Sequence, residues 1–202
     1  MTGRAWVESV TLEGNYVRLE PMSLDHLAGL TQVGLDAEIW RWMPMFVQSP
    51  QDMRTLIEEA LAEAEAGTMV PFTTIERVTG KPVGSTRFLS IVPAHRRLEI
   101  GWTWLAPAWQ HSAVNTEAKL LMLAHAFERM DCIRVEFRVN APNTRSRAAV
   151  TRLGAREEGT LRHHQIAPDG RVIDWVYYSI LREEWPAVRE ALEHKLAAHA
   201  PA

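Results

Sequence analysis

Between Arg97 and Val139 the sequence runs strand, long helix, strand, and this unit constrains the fold more than any other stretch. Arg97 to Leu105 and Ile133 to Val139 read as strands, while Asn115 to Met130 is dense in Ala, Leu and Met and lacks Gly and Pro. Two strands joined through a helix of that length must run parallel when they pair. The other strands are joined by short turns. Segments at about 69–77, 83–92 and 97–105 follow one another across Thr79-Gly80-Lys81-Pro82 and a break at Pro93, which predicts an antiparallel meander. Segments at about 156–166 and 171–181 flank Pro168-Asp169-Gly170, a hairpin turn. The predicted fold is therefore α+β. Its central sheet is mixed and mostly antiparallel, with one parallel pair, flanking helices and one largely buried helix.

The remaining elements fit this frame. Asn15 to Glu20 alternates polar and apolar residues and stops at Pro21, as a first strand would. Ser23 can cap a short helix presenting Leu24, Leu27 and Leu30, and Ser49-Pro50-Gln51-Asp52 opens a second helix that Gly67 ends. Between them, Ile39 to Phe46 is aromatic and methionine-rich but broken by Pro44. It reads as a loop that plugs a core, walls a ligand, or does both. Asn143 caps a helix through Leu153, with Gly154 beyond its end, and a C-terminal helix covers about 185–198. The element order is β-α-α-β-β-β-α-β-α-β-β-α. With 202 residues and no linker or repeat, the expectation is one domain over 1–202, its core at about 14–185.

Charge and cysteine content narrow the classes of function. Lys and Arg total 22 against 25 Asp and Glu, so the formal net charge of -3 argues against an obligate nucleic-acid binder. One cysteine, Cys132, excludes an internal disulfide framework and a cysteine-based zinc site. No apolar run is long enough to span a bilayer, and MTGRAWVESV lacks the apolar core of a signal peptide. A cytoplasmic protein without membrane, nucleic-acid or metal partners is the expectation. His163-His164 lies on a strand, where neighbours face opposite ways, so the pair does not suggest a metal site.

The chemically informative stretch runs from Glu99 to Lys119. A strand ends at Leu105, a loop crosses Gln110, His111, Ser112, Ala113 and Val114, and a helix opens near Asn115 and Thr116. Free N–H groups at such a helix start, together with loop amides, suit an anion such as a pyrophosphate. Every strand–loop–helix junction has such an end, so this feature alone is weak.

The ordered set of segments is far more specific. Gly14-Asn-Tyr-Val-Arg-Leu-Glu-Pro21, Leu98-Glu-Ile-Gly-Trp102, Trp109-Gln110 and Asn115-Thr-Glu-Ala-Lys119 are followed by His125-Ala-Phe-Glu128 and Arg134-Val-Glu136. Asn143-Thr-Arg-Ser-Arg-Ala-Ala149, Leu153-Gly-Ala155, Glu158-Gly-Thr-Leu-Arg162 and Tyr178-Ser-Ile180 complete the series. Together they resemble the GNAT acetyltransferase superfamily, in particular the branch of RimJ/RimL-type ribosomal-protein N-terminal acetyltransferases. The resemblance covers about 14–185. It implies a GNAT-like fold and an enzyme that moves an acetyl group directly from acetyl-CoA to a primary amine, most simply a protein N-terminal α-amine. It also implies a homodimer.

The same resemblance assigns roles. The acetyl-CoA pantetheine arm would pair with the strand around Trp102, Thr103, Trp104 and Leu105, with the N–H of Leu105 or a neighbour polarising the thioester carbonyl. Gly101 would mark the bulge that splays the strands. The pyrophosphate loop would be Gln110 to Thr116, with Ala113 where the family usually has glycine. Glu99 stands where relatives place a general base, and its other reading is a paired or solvated strand residue. Asn143 would meet the pantetheine amide, and Ser146 would protonate or hydrogen-bond the departing thiolate. Ser146 can equally be a helix-start serine beside the Asn143 cap. Arg145, Arg147 and Arg152 form a basic face suited to the 3′-phosphate of CoA or simply to solvent.

Two rivals share the scaffold: acetylation of a small-molecule amine such as a polyamine, amino acid or aminoglycoside, and a non-catalytic acyl-CoA sensor. An acidic cleft would favour the cationic small molecules, whereas a narrow groove would favour protein N-termini. The acceptor walls are expected from about 36–49 and the Pro168 hairpin.

Overall fold

The computed structural model describes residue 6 and residues 8–199. Eight strands form one sheet in the order β1-β2-β3-β4-β5-β6-β8-β7. They are β1 (Leu12–Glu13), β2 (Val17–Pro21), β3 (Val70–Glu76), β4 (Pro82–Val92), β5 (Arg97–Leu105), β6 (Arg134–Asn140), β7 (Arg156–Ile166) and β8 (Val172–Leu181). The helices are α1 (Leu27–Gly34), α2 (Ala37–Trp40), α3 (Pro50–Glu65), α4 (Ala113–Ala124), α5 (Thr144–Arg152) and α6 (Trp185–Ala197). The β5–β6 pair is parallel and the other neighbours are antiparallel, as the strand–helix–strand unit requires. Among the described residues no helix is long and apolar enough to cross a membrane, and no cluster of His, Cys, Asp and Glu could hold a metal ion. The N-terminal segment read for a signal peptide lies largely outside the described residues.

Strand alternation sends side chains to two separate cores. Leu98, Ile100 and Leu105 of β5 join Val114, Ala118 and Met122 of α4 and Val188 and Leu192 of α6 in one cluster. Trp104 points to the other face, where it packs with Leu30, Trp40, Met53 and Ile57 from α1, α2 and α3. Trp40 meets Trp104 with ring centroids 5.4 Å apart and donates its indole N–H to the Gly34 carbonyl at 2.7 Å. Cys132 is wholly buried in the first core, where desolvation pushes its thiol up to about 12.

Three local departures from the sequence reading matter for the site. First, α4 starts at Ala113 rather than near Asn115, because Ser112 is extended and its hydroxyl accepts from the Val114 N–H. Its last turn widens into a π-turn over His125–Arg129. Second, the structure adds two elements, the two-residue β1 and the single turn α2, both too short to leave a periodic signature. Third, the bulge in β5 lies one residue beyond Gly101. Ser85 pairs with Trp104 and Arg87 with Gly101, so Trp102 and Thr103 together oppose Thr86. Trp102 takes φ +50, a left-handed conformation that a bulky side chain rarely adopts. Gly101 serves close approach instead, since a Cβ there would stand 3.0 Å from the Glu99 carboxylate and 3.1 Å from Leu89.

Candidate active site

Pairing between β5 and β6 ends early. Arg97, Leu98 and Glu99 face Arg134, Val135 and Glu136, after which β5 turns toward β4 and β6 stays with β8 as far as Asn140 opposite Trp175. The separation opens a cavity of about 820 Å³ whose walls include Ile100 to Leu105 on one side and Phe137 to Asn140 on the other. That volume lies in the range of small-molecule and cofactor sites.

Main-chain groups are available along the β5 side of this split. Ala106 donates to Val83 at 2.8 Å, so the Gly84–Leu105 pair is the one whose main-chain groups point away from each other. Leu105 therefore turns its main chain toward the split, where its carbonyl accepts from the Gln110 side chain at 3.1 Å. The same Gln110 accepts from Arg145 of α5 at 2.9 Å, tying the end of β5 to the opposite wall. His111 has φ +62 and Ser112 caps α4, so the loop bends sharply and delivers the helix start to the cavity. Ala113 is the first helical residue and needs no positive φ, so alanine is compatible with this backbone.

Most of the residues singled out from sequence meet here. Glu99, Trp102, Thr103, Trp104, Leu105, Gln110, His111, Ser112, Asn115, Thr116, Asn143 and Ser146 all line the cavity. Ala113 and Val114 do not. Both are buried, Val114 in the core, and only their main chain is left for a ligand. Arg145 and Arg152 line the cavity, whereas Arg147 bonds the Tyr178 hydroxyl at 3.0 Å and Glu157 at 3.1 Å. Asn143 accepts the Ser146 N–H at 3.1 Å, which commits its side-chain oxygen to capping and leaves its NH₂ to face the cavity. Among the described residues the Ser146 hydroxyl has no protein hydrogen-bond partner.

Glu99 sits on the face of β5 opposite α4, 4 % exposed. Its carboxylate bonds Arg138 at 2.7 Å and the Ser90 hydroxyl at 3.2 Å. Burial raises its pKa and outweighs the opposing pull of Arg138. Arg138 lies over the rings of Trp175, at 5.8 Å, and Tyr177, at 6.0 Å, which fixes its guanidinium.

The segment at 36–49 both fills the second core and walls the cavity. Ile39, Trp40 and Val47 are buried, while Trp42, Met43 and Pro44 line the opening. Arg171, from the β7–β8 hairpin, donates to the carbonyls of Arg41 at 3.2 Å and Met43 at 3.3 Å. The two regions expected to form the acceptor walls thus hold each other.

Several cavity residues were given no role from sequence, Arg138 and Lys119 among them. Lys119 of α4 is 4 % exposed and donates to Thr103 at 2.7 Å and Thr86 at 3.1 Å. No carboxylate pairs with it among the described residues, and desolvation brings its pKa down to about 7. Its sequence signals were its place at the end of the Asn115-Thr-Glu-Ala-Lys119 segment and a charge within a largely apolar helix.

Known proteins resemble this chain in sequence and in fold. "Putative ribosomal N-acetyltransferase YdaF" of Bacillus subtilis is 27% identical over 177 residues, covering 83% of this chain and 90% of that protein. The crystal structure of a "putative acetyltransferase" from T. thermophilus superposes with a TM-score of 0.86 at 36% identity, covering 95% of this chain and 99% of that one. Mycobacterium smegmatis RimJ in complex with CoA-disulfide superposes with a TM-score of 0.79 at 26% identity, covering 94% and 95%. The sequence pattern of the acetyltransferase (GNAT) domain matches residues 17–156, which take in the meander, the split and the loop ahead of α4. With well over half of its length matched, this chain belongs to the GNAT acetyltransferase family.

Proposed function

We propose that the protein transfers the acetyl group of acetyl-CoA directly to a protein N-terminal α-amine. The observation that carries this reading is the charge of the cavity wall. Among the described residues Glu99 is its one carboxylate, already bonded to Arg138, and the opening is walled by Trp42, Met43, Pro44 and Trp175. A polyamine or aminoglycoside carries several ammonium groups, each needing a countercharge on leaving water. A single α-amine needs one. The name of the relative above, "Putative ribosomal N-acetyltransferase YdaF", favours a protein acceptor over a small molecule.

The residues present fit acetyl-CoA. The split exposes main-chain groups of β5, and the α4 N-terminus with Arg145 and Arg152 suits phosphates. When bound, the cofactor supplies an activated acyl thioester. Trp102 to Leu105 would hold the pantetheine arm, assisted by the Asn143 amide. The Leu105 N–H, or that of a neighbour, would polarise the thioester carbonyl. Glu99 would take the proton from the attacking amine, directly or through water. Its raised pKa makes it a stronger base than an exposed glutamate. The Ser146 hydroxyl, free and on the cavity wall, would stabilise the departing thiolate. The one cysteine, Cys132, is sealed in the core and is not placed for a covalent relay.

The test is release of CoA thiol across N-terminal peptides, lysine peptides, polyamines and aminoglycosides. Peptides with a free α-amine are expected to dominate; a polyamine turned over more efficiently would overturn the acceptor assignment. Glu99→Gln should lower kcat/KM by about 10²–10⁴-fold near neutral pH. The deficit should shrink above about pH 8, where an α-amine loses its own proton. Unchanged kcat in both Glu99→Gln and Ser146→Ala would remove these two roles and leave the fold untouched. CoA binding without turnover of any amine would favour a sensor. The reading also includes a cytoplasmic homodimer. The exposed outer edge of β7, with exposed Ile166 and Val172 near the hairpin, supports it, and sedimentation equilibrium tests it.

A further inference from the structure

Lys119 is difficult to account for as a packing residue. Its place on α4 is interior, between Ala118 and Met122 of the core, where Leu or Met would fill the space without desolvating an ammonium. Burial of a lysine without a carboxylate is destabilising, so an apolar residue would be the better choice for stability alone.

The location of its two hydrogen bonds is specific. In the β4–β5 register Thr86 faces two residues, Trp102 and Thr103. Lys119 reaches from α4 to both sides of that mismatch, donating to Thr86 at 3.1 Å and Thr103 at 2.7 Å, while the two hydroxyls are 2.8 Å from each other. The three polar groups form a closed triangle beneath the bulge. On the opposite face the Arg87 guanidinium lies 4.6 Å from the centre of the Trp102 ring. The bulge that carries the strained Trp102, at φ +50, is thus contacted from both faces of the sheet. Such a conformation is strained and persists only where its surroundings over-determine it.

The bulge also shapes the cavity. Thr103 and Lys119 both line it, and the bulge lies on the stretch of β5 beyond Glu99 that no longer pairs with β6. We propose that Lys119 is a positioning residue, which holds the Trp102–Thr103 bulge through Thr103 and Thr86 and so aims the β5 main chain at the acetyl-CoA thioester. The inference rests on the acetyl-CoA reading of the cavity but not on the identity of the acceptor. It explains why a lysine stands where an apolar residue would be more stable, and it gives Thr86 and Thr103 a shared task.

Lys119→Met keeps the volume and removes the donors. It is expected to fold at least as stably as the parent protein. Acetyl-CoA should bind roughly tenfold more weakly, and kcat should fall by about 10–100-fold with the acceptor KM little changed, as displacement of a reacting group predicts. Thr103→Val should show the same loss, and Thr103→Ser, which keeps the hydroxyl, should restore it. The Lys119→Met/Thr103→Val double variant should be no worse than either single one, because both break the same link. The proposal is overturned if Lys119→Met binds acetyl-CoA and turns over within twofold of the parent. It is equally overturned if Thr103→Ser falls as far as Thr103→Val, which would make the effect one of packing. Should Lys119→Met fail to fold, the Thr103 pair decides alone. Acetyl-CoA affinity is measured without any amine, so an error about the acceptor would leave this test intact. If the parent protein bound no acetyl-CoA, the cavity reading itself would fail, and this proposal with it.

Discussion

Glu117 and Lys119 stand two residues apart on α4, both 4 % exposed, and they illustrate two different reasons for burying a charge. Glu117 is fully provided for. Its carboxylate accepts the N–H groups of Asn15, Tyr16 and Val17 at 2.8, 2.6 and 2.8 Å, so it pins the start of β2 to the helix. Three otherwise unpaired donors at a strand entry are satisfied by one side chain. Lys119 is provided for poorly. It has two neutral hydroxyls and no countercharge among the described residues, and its pKa is driven down to about 7. The first charge serves the fold. The second destabilises it, and lies on the wall of the active-site cavity. A buried charge that is fully bonded is therefore better explained by architecture, and one that is under-bonded beside a cavity by function.

Breaking the Glu117 side should have the largest effect on stability. Glu117→Ala leaves three N–H groups without that partner, Val17's buried and those of Asn15 and Tyr16 part-buried, at up to about 1–3 kcal/mol each. Chemical denaturation should show a loss of several kcal/mol, and a variant of near-parent stability would show that the β2 entry relies on other contacts. Lys119→Met tests the other side with the opposite sign. The folded-state pKa is depressed from 10.5 to about 7, so between those values the unfolded chain holds a proton that the folded one has released. Stability of the parent protein then rises with pH across that window. The methionine variant should gain most at pH 7 and below, where the parent must keep a buried ammonium. Its advantage, about 1.4 kcal/mol for each pH unit of the gap at most, should fade toward pH 10. Thermal melts at pH 6.5 and 9.5 measure this, and an advantage that grew with pH would contradict the assignment of Lys119 as an under-compensated charge. Gly14→Ala should have the smallest effect of the three. A Cβ at Gly14 would fall 2.3 Å from the Glu117 carboxyl carbon, so the carboxylate must shift and its three bonds lengthen. A loss of about 1–3 kcal/mol is expected, with acetyl-CoA affinity unchanged.

These contrasts also show which features were legible in the sequence. The hairpin around Pro168-Asp169-Gly170 and the helix opening at Ser49-Pro50 follow from local dihedral preferences, and both stand as read. The parallel β5–β6 pair follows from the length of the connection. Ordered segments from Gly14 to Ile180 were enough to identify the family, because a family pattern summarises many weak constraints in a fixed order. The bulge, in contrast, was expected at Gly101, and its positive φ falls on Trp102. Glycine permits such a backbone but does not create it, and here the register with β4 does. Asn143 was legible as a helix cap, since the nearest unpaired donor is the Ser146 N–H. That only its NH₂ remains for a ligand was not, because the sequence does not show which side-chain atom faces the cavity.

Alternation, turn chemistry and the strand–helix–strand connection are properties of near neighbours in the chain, so the sequence by itself determined the mixed sheet, its one parallel pair and the buried helix. Only the tertiary structure decided what that helix does with its two charges. The partners of Glu117 lie about a hundred residues away at the start of β2, and those of Lys119 lie on two strands that meet at a register mismatch. Desolvation and hydrogen bonding depend on what packs around a group in three dimensions, and helical periodicity reports only which side of the axis it occupies.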